Sequence, residues 1–191
     1  MVVVALFVAV PVTLLIRDAG GGRGGDGGGG GEPASAPAEA KASPAANRPP
    51  EEVDRKLRVA VRQLPPGWRA KRRAGVLTMR SKRRDAAVVV TAPGPAERVA
   101  EIHEHAIEAV DAQYRGVKVV EASRGELGGR KARTAAIAAR RPDGGGKVGI
   151  MVITARGDKR AYLVEVFTRG GNPGVALLEA QAVLNNLELR G

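Results

Sequence analysis

Cysteine is absent from this chain. Disulfides, thiolate metal sites and a lipid-modified N-terminal cysteine are therefore excluded. Aromatic residues are almost absent, at 3% of the chain: Phe7, Trp68, Tyr114, Tyr162 and Phe167. A core must then be built from Val, Leu, Ile and Ala. A surface that stacks nucleic-acid bases on aromatics interleaved with charge has only Trp68 to draw on. Serine is scarce beyond residue 50, where Ser81 and Ser123 are the only two. Neither lies in a Gly-x-Ser-x-Gly elbow, so serine-based nucleophilic catalysis has no visible scaffold.

Positive charge is abundant. The 191 residues carry 31 Lys and Arg against 20 Asp and Glu, a net charge of +11. Residues 1–50 are neutral, with Arg17, Arg23, Lys41 and Arg48 balanced by Asp18, Asp26, Glu32 and Glu39. The whole excess lies in residues 51–191. A basic domain attracts anionic partners: nucleic acid, anionic lipid head groups or acidic wall polymers. Arg outnumbers Lys 23 to 8, which points to a coding bias as one source of that charge.

The N-terminus opens with an uncharged apolar run, VVVALFVAVPVTLLI, at residues 2–16. As a helix it would span roughly 22 Å, short of a bilayer core of about 30 Å. It lacks the basic start of a signal peptide. Residues 1–16 are expected to form a membrane anchor or signal-anchor, whether short and kinked at Pro11 or the remainder of a longer one. The glycines that follow, GGGRGGDGGGGG, have neither a preceding strand nor a following helix to cradle a phosphate. Pro33, Pro37, Pro44, Pro49 and Pro50 come after them. Gly-rich then Pro/Ala-rich composition makes residues 17–50 a disordered linker, with a reach of roughly 30 Å.

Residues 51–191 read as one α+β domain, an antiparallel β-sheet with flanking helices. Its opening, PPEEVDRKLRVAVRQL, places Val53, Leu57, Val61 and Leu64 at helical spacing, although Leu57, Val59 and Val61 also alternate as in a strand. A helix is the expectation. A hairpin follows at 75–80 and 86–92. The stretch from Pro95 to Tyr114 is a helix with Val99, Ile102, Ala106, Ala109, Val110 and either Gln113 or Tyr114 inward. VKVVEA, TAAIAA, VGIMVIT and AYLVEVFT are strands, the last three joined by hairpin turns in an antiparallel meander. The final helix runs through NPGVALLEAQAVLNNLEL, with Asn172 as N-cap, Pro173 first, and Leu177, Ala180, Leu184 and Leu187 inward.

Three features carry a resemblance: LPPGW at 64–68, LGGRKA at 127–132, and AYLVEVFT leading to the terminal AVLNNLEL. In this order they resemble the PsbP/Mog-like superfamily, which includes DcrB- and LpqN-type bacterial secreted or membrane-anchored proteins. The resemblance covers residues 57–191. It implies an α/β/α sandwich around an antiparallel sheet, and mostly non-enzymatic, extracytoplasmic accessory or binding roles. The lipidated cysteine of the LpqN type has no counterpart here, so localisation rests on the N-terminal run.

Chemistry-bearing candidates are few. Glu101, His105 and Glu108 share a helix face and could hold zinc; they also read as part of an acidic solvated face with Glu97, Glu104 and Asp111. GGGKV at 144–148 has Val148 where a phosphate loop needs Ser or Thr, and it sits between strands as a turn. RGD at 156–158 is likewise turn chemistry. The strongest candidate is a basic run without any acid: Arg69, Lys71, Arg72, Arg73, Arg80, Lys82, Arg83 and Arg84. A second basic set is Arg130, Lys131, Arg133, Arg140, Arg141, Lys147, Arg156, Lys159 and Arg160; its two turn clusters should fall at opposite ends of the sheet. The expected function is a membrane-tethered, extracytoplasmic, non-catalytic binding domain. Its expected contact is a protein partner or an anionic lipid or envelope polymer, with no cofactor. A cytoplasmic-facing nucleic-acid binder and a metal-assisted enzyme are the alternatives.

Overall fold

The computed structural model describes residues 51–54, 56–169 and 173–190. The expected anchor, linker and Asn172 cap lie outside the described residues. Among the described residues, no helix is long and apolar enough to cross a membrane.

The first strands are β1 (Glu51–Asp54), β2 (Val59–Val61), β3 (Trp68–Arg73), β4 (Val76–Ser81) and β5 (Ala86–Pro95). A 3-10 turn, Ala96–Arg98, leads into helix α1 (Val99–Gln113). Then come β6 (Arg115–Leu127), β7 (Arg130–Arg140), β8 (Lys147–Arg156) and β9 (Arg160–Arg169). Helix α2 (Pro173–Asn185) and strand β10 (Leu187–Leu189) complete the domain. Seven strands form one sheet in the order β3-β4-β5-β9-β8-β7-β6, and three form a small sheet, β1-β2-β10. All strand pairs are antiparallel. The α+β class and the antiparallel meander of β6–β9 agree with the sequence.

Register decides which side chains share a face, because strand side chains alternate. One face carries Leu77, Met79, Val88, Val90, Ile153, Tyr162, Val164 and Val166. These join Ala176, Ala180, Val183 and Leu184 of α2, and Val59, Val61, Leu187 and Leu189 of the small sheet, in one core. The opposite face carries Val89, Ala135, Ile137, Ile150 and Val152, and α1 packs there through Ile102, His103, Ala106 and Val110. The helices therefore flank the large sheet on its two sides.

Three expectations are corrected. Residues 51–64 are not a helix: Arg58 sits at φ 56°, outside the right-handed helical region, and β2 is the central strand between β1 and β10. Burial of Val59 and Val61 in the core shared with α2 and the large sheet outweighs the helical spacing. The last helix ends at Asn185, and Leu187 belongs to β10, paired with Val61. Leu177 is exposed, and Ala176 faces inward in its place.

Candidate functional site

The basic run spans an edge strand and the polar turn between β4 and β5. Its first half is a strand. Trp68 is buried, and Arg69–Arg73 continue along an edge of the large sheet with their side chains exposed. Ala74 and Gly75 close the hairpin to β4 with φ of 47° and 78°, the left-handed pair that a tight type I′ turn requires. Gly67, at φ 82°, opens the strand; its carbonyl accepts from Lys82 N at 2.7 Å, while Trp68 N donates to Pro65 O at 3.0 Å. LPPGW is thus a turn that delivers Trp68 to the core.

The hairpin sorts the eight residues. Arg69, Lys71, Arg73 and Arg80 occupy the same face as α1, whereas Arg72 is on the other. Arg69 is directly opposite Arg80. The turn after β4 holds Lys82, Arg83 and Arg84. Arg83 is drawn away into ion pairs with Asp85, at 3.4 Å, and with Glu179 of α2. Asp85 also accepts from Ser81 Oγ at 2.6 Å. Arg169 ends β9 on the α1 face, two residues beyond Phe167, whose cross-strand partner is Ala87. Arg169 Nε donates to Arg84 O at 2.8 Å, and its amide donates to Asp85 O at 2.8 Å. Arg169 thereby joins Arg80 and Arg84, an association that spacing along the chain conceals.

Arg80 is half-buried, and its Nη2 is buried without a hydrogen-bond partner. Burial, then the charges of Arg84 and Arg169, lower its pKa from the usual guanidinium value. The face formed by β3, β4 and the end of β9 is thus an accumulation of positive charge.

The other candidates resolve differently. Glu101 accepts from Arg98 Nε at 2.6 Å, and that bond holds its carboxyl below the usual range. Among the described residues no three His, Asp or Glu side chains converge as a metal-ligand set. The GGGK segment is the β7–β8 turn: Gly144 and Gly146 have positive φ, Gly145 N donates to Asp143 Oδ1 at 2.9 Å, and Arg141 N donates to Gly146 O at 3.1 Å. In the RGD turn, Asp158 accepts two bonds from Arg130, at 2.5 and 3.1 Å. These two turns lie at opposite ends of the meander, so the second basic set is split.

Two features escaped the sequence reading. The first is a cleft of about 820 Å³ between α2, β10 and the faces of β6–β8. Ser123, Thr134, Met151 and Ile153 form its floor, and Gln181 and Glu188 belong to its far side. Arg62 and Arg190 both pair with Glu188 there, so its charge is largely internally matched, unlike the β3–β4 face. The second is a set of polar groups beneath α1. His103 Nδ1 lies 3.1 Å from Thr154 Oγ1, and burial, then Arg133, lowers the imidazole pKa. Glu165, between Val89 and Val152 in the register, has a carboxyl pushed up to about 7 by burial. Alternation of strand residues could have placed Glu165 on the inner side; nothing short-range signals His103.

No family model and no curated protein matches the chain. Among solved structures, the chain is similar to cyanobacterial PsbP (CyanoP) from Synechocystis sp. PCC 6803, with 14% identity and a TM-score of 0.48, over 71% of this chain and 89% of that one. It is also similar to LpqN of Mycobacterium tuberculosis, described as involved in cell envelope biogenesis, with 9% identity and a TM-score of 0.46, over 70% and 83%. A protein from Bacteroides thetaiotaomicron aligns with 12% identity and a TM-score of 0.47, over 70% and 46%.

Proposed function

We propose that residues 51–191 form a non-catalytic binding or accessory domain, held at a membrane by residues 2–16 on the extracytoplasmic side. Its contact is an anionic component of the envelope, made through the β3–β4 face. One observation carries this reading. Arg69, Lys71, Arg73 and Arg80 share one face of an edge hairpin, with Arg69 set directly against Arg80. Like charges in direct cross-strand register are destabilising, so the arrangement is a cost to the fold that an anionic partner would offset. Each Lys or Arg held at an anionic surface contributes about 1 kcal/mol. Four on one face are enough for a salt-sensitive attachment. The resemblance over residues 57–191, which implies extracytoplasmic accessory roles, supports the same reading.

The test uses the full chain in zwitterionic micelles, applied to a dextran sulfate matrix. Retention that salt reverses is expected, with a Gln variant of Arg69, Lys71 and Arg73 eluting at clearly lower salt. Absence of retention at low salt removes the anionic contact. Protease added to intact cells, or to spheroplasts where an outer membrane exists, tests the orientation. Digestion of the domain without lysis is expected, and protection until lysis overturns it.

A further inference from the structure

We propose that Arg80, Arg84 and Arg169 form a discrete site for a phosphate-type oxyanion, at the end of the sheet where the β4–β5 turn meets the last residue of β9. The inference rests on the basic-face reading and deepens it: it names the chemical group that the face receives and where.

Three observations converge there. Arg80 Nη2 is buried and has no hydrogen-bond partner. A buried, unsatisfied guanidinium nitrogen is costly, and in native proteins such a group normally meets water or an ion. Next, the local backbone is arranged so that cations collect. Arg84 adopts φ 60°, a left-handed conformation that is unfavourable for an arginine, while its amide donates to Ser81 O at 3.0 Å. Its carbonyl in turn accepts from Arg169 Nε, which fixes the Arg169 side chain at this turn. Finally, among the described residues, the acids nearest this end have other contacts. Asp85 is bonded to Ser81 Oγ and paired with Arg83, and Glu179 takes the other side of Arg83. Glu165, further along the same face of β9, has its carboxyl pushed up to about 7 by burial, which reduces its negative charge near neutral pH.

Arginine suits this role because its planar fork presents parallel N–H groups to the oxygens of a tetrahedral anion. A free phosphate and the phosphodiester of a lipid headgroup offer the same oxygens. Adding the anion would satisfy the orphan nitrogen and relieve the mutual repulsion of Arg80, Arg84 and Arg169 in one step.

The test follows the side-chain Nε–Hε signals of arginine by NMR, on the full chain in zwitterionic micelles. Inorganic phosphate is titrated in one arm, and phosphatidylglycerol is added to the micelles in the other. Saturable movement of the Arg80 signal is expected in at least one arm, and the arm that saturates at lower concentration identifies the source. Arg80→Met should weaken binding about tenfold, the loss of one charge-assisted hydrogen bond. Arg80→Lys, which keeps the charge and loses the fork, should weaken it by a smaller factor and guards against a folding defect in the Met variant. Lys159→Ala, which removes one charge in the β8–β9 turn, should leave binding within about twofold. Equal losses in Arg80→Lys, Arg80→Met and Lys159→Ala would reduce the effect to diffuse surface charge and overturn the site, leaving the anionic contact of the face intact. No saturation in either arm, with dextran sulfate retention preserved, would overturn the site in the same way. Loss of both retention and saturation would remove the broader reading as well.

Discussion

Arg69 and Arg80 face each other across the β3–β4 ladder, on the side of the large sheet that carries α1. Neither is matched by an acid in that position, so the pair sets function against stability. Arg69→Thr should raise stability by about 0.2–1 kcal/mol, the cost of a cross-strand like-charge pair, while lowering retention on an anionic matrix. Urea unfolding and the salt needed for elution check the two halves independently. A variant that loses stability and keeps its retention would show the pair to be structural.

Glu165 should make stability fall as pH rises. Its folded pKa is raised from 4.5 to about 7, so between those values the folded state holds a proton that the unfolded state has lost. Stability present below the unfolded value is lost as pH rises through the folded one. Replacing it by Gln removes this dependence. Glu165→Gln should be more stable than wild type at pH 8 by on the order of 2–3 kcal/mol, with the difference shrinking toward pH 5. Chemical denaturation at several pH values gives the curve directly.

His103 acts on the opposite limb. Burial, and then Arg133, keep its folded pKa below 6.5. The unfolded chain therefore takes up a proton first, and stability falls as pH drops through the folded value. His103→Gln is expected to flatten the acid side of the stability profile, at some cost near neutrality from the altered contact with Thr154. An unchanged acid limb in thermal melts between pH 5 and 7 would show that His103 does not control it.

Gly128 and Gly129 are neighbours in the β6–β7 turn, both with positive φ, yet they should not respond alike. A Cβ on Gly128 would stand 2.9 Å from Leu189 N and 3.0 Å from Leu187 O, whereas one on Gly129 meets nothing within 4 Å. Gly129→Ala carries only the left-handed backbone cost, about 1–2 kcal/mol. Gly128→Ala adds a clash with the backbone of β10 and should lose clearly more. Comparing the two unfolding free energies separates steric from conformational cost.

Tyr162 is fully buried, and its hydroxyl donates to Leu57 O at 3.1 Å. This bond ties β9 to the segment leading into β2, 105 positions away along the chain. Tyr162→Phe keeps the ring and should cost about 1–2 kcal/mol. Hydrogen exchange in residues 59–61 should rise with it, since that bond secures the start of β2.

Much of the fold was legible because its signals are local. The periodicity of Ile102, Ala106 and Val110 placed α1, although Pro95, read as its start, ends β5 and the helix begins at Val99. Gly144, Gly146 and the RGD segment marked hairpin turns, and the apolar runs between them are strands of the meander. Residues 51–64 were misread because Leu57, Val59 and Val61 satisfy both the helical and the strand pattern. What settled them was β10, some 130 positions distant, which pairs with β2.

Composition and short-range pattern alone determined an α+β domain with an aliphatic core and a surplus of positive charge between residues 69 and 84. They also named the eight basic residues. Tertiary structure decided which of them act together. The pleat of β3 sends Arg69, Lys71 and Arg73 to one face and Arg72 to the other. The antiparallel register of β9 brings Arg169 to the β4–β5 turn, and Glu179 removes Arg83 from the cluster. Charge is a property of each residue and can be counted along a chain. Its convergence on one point depends on strand pairings between distant segments, and those are fixed by the burial of the whole sheet.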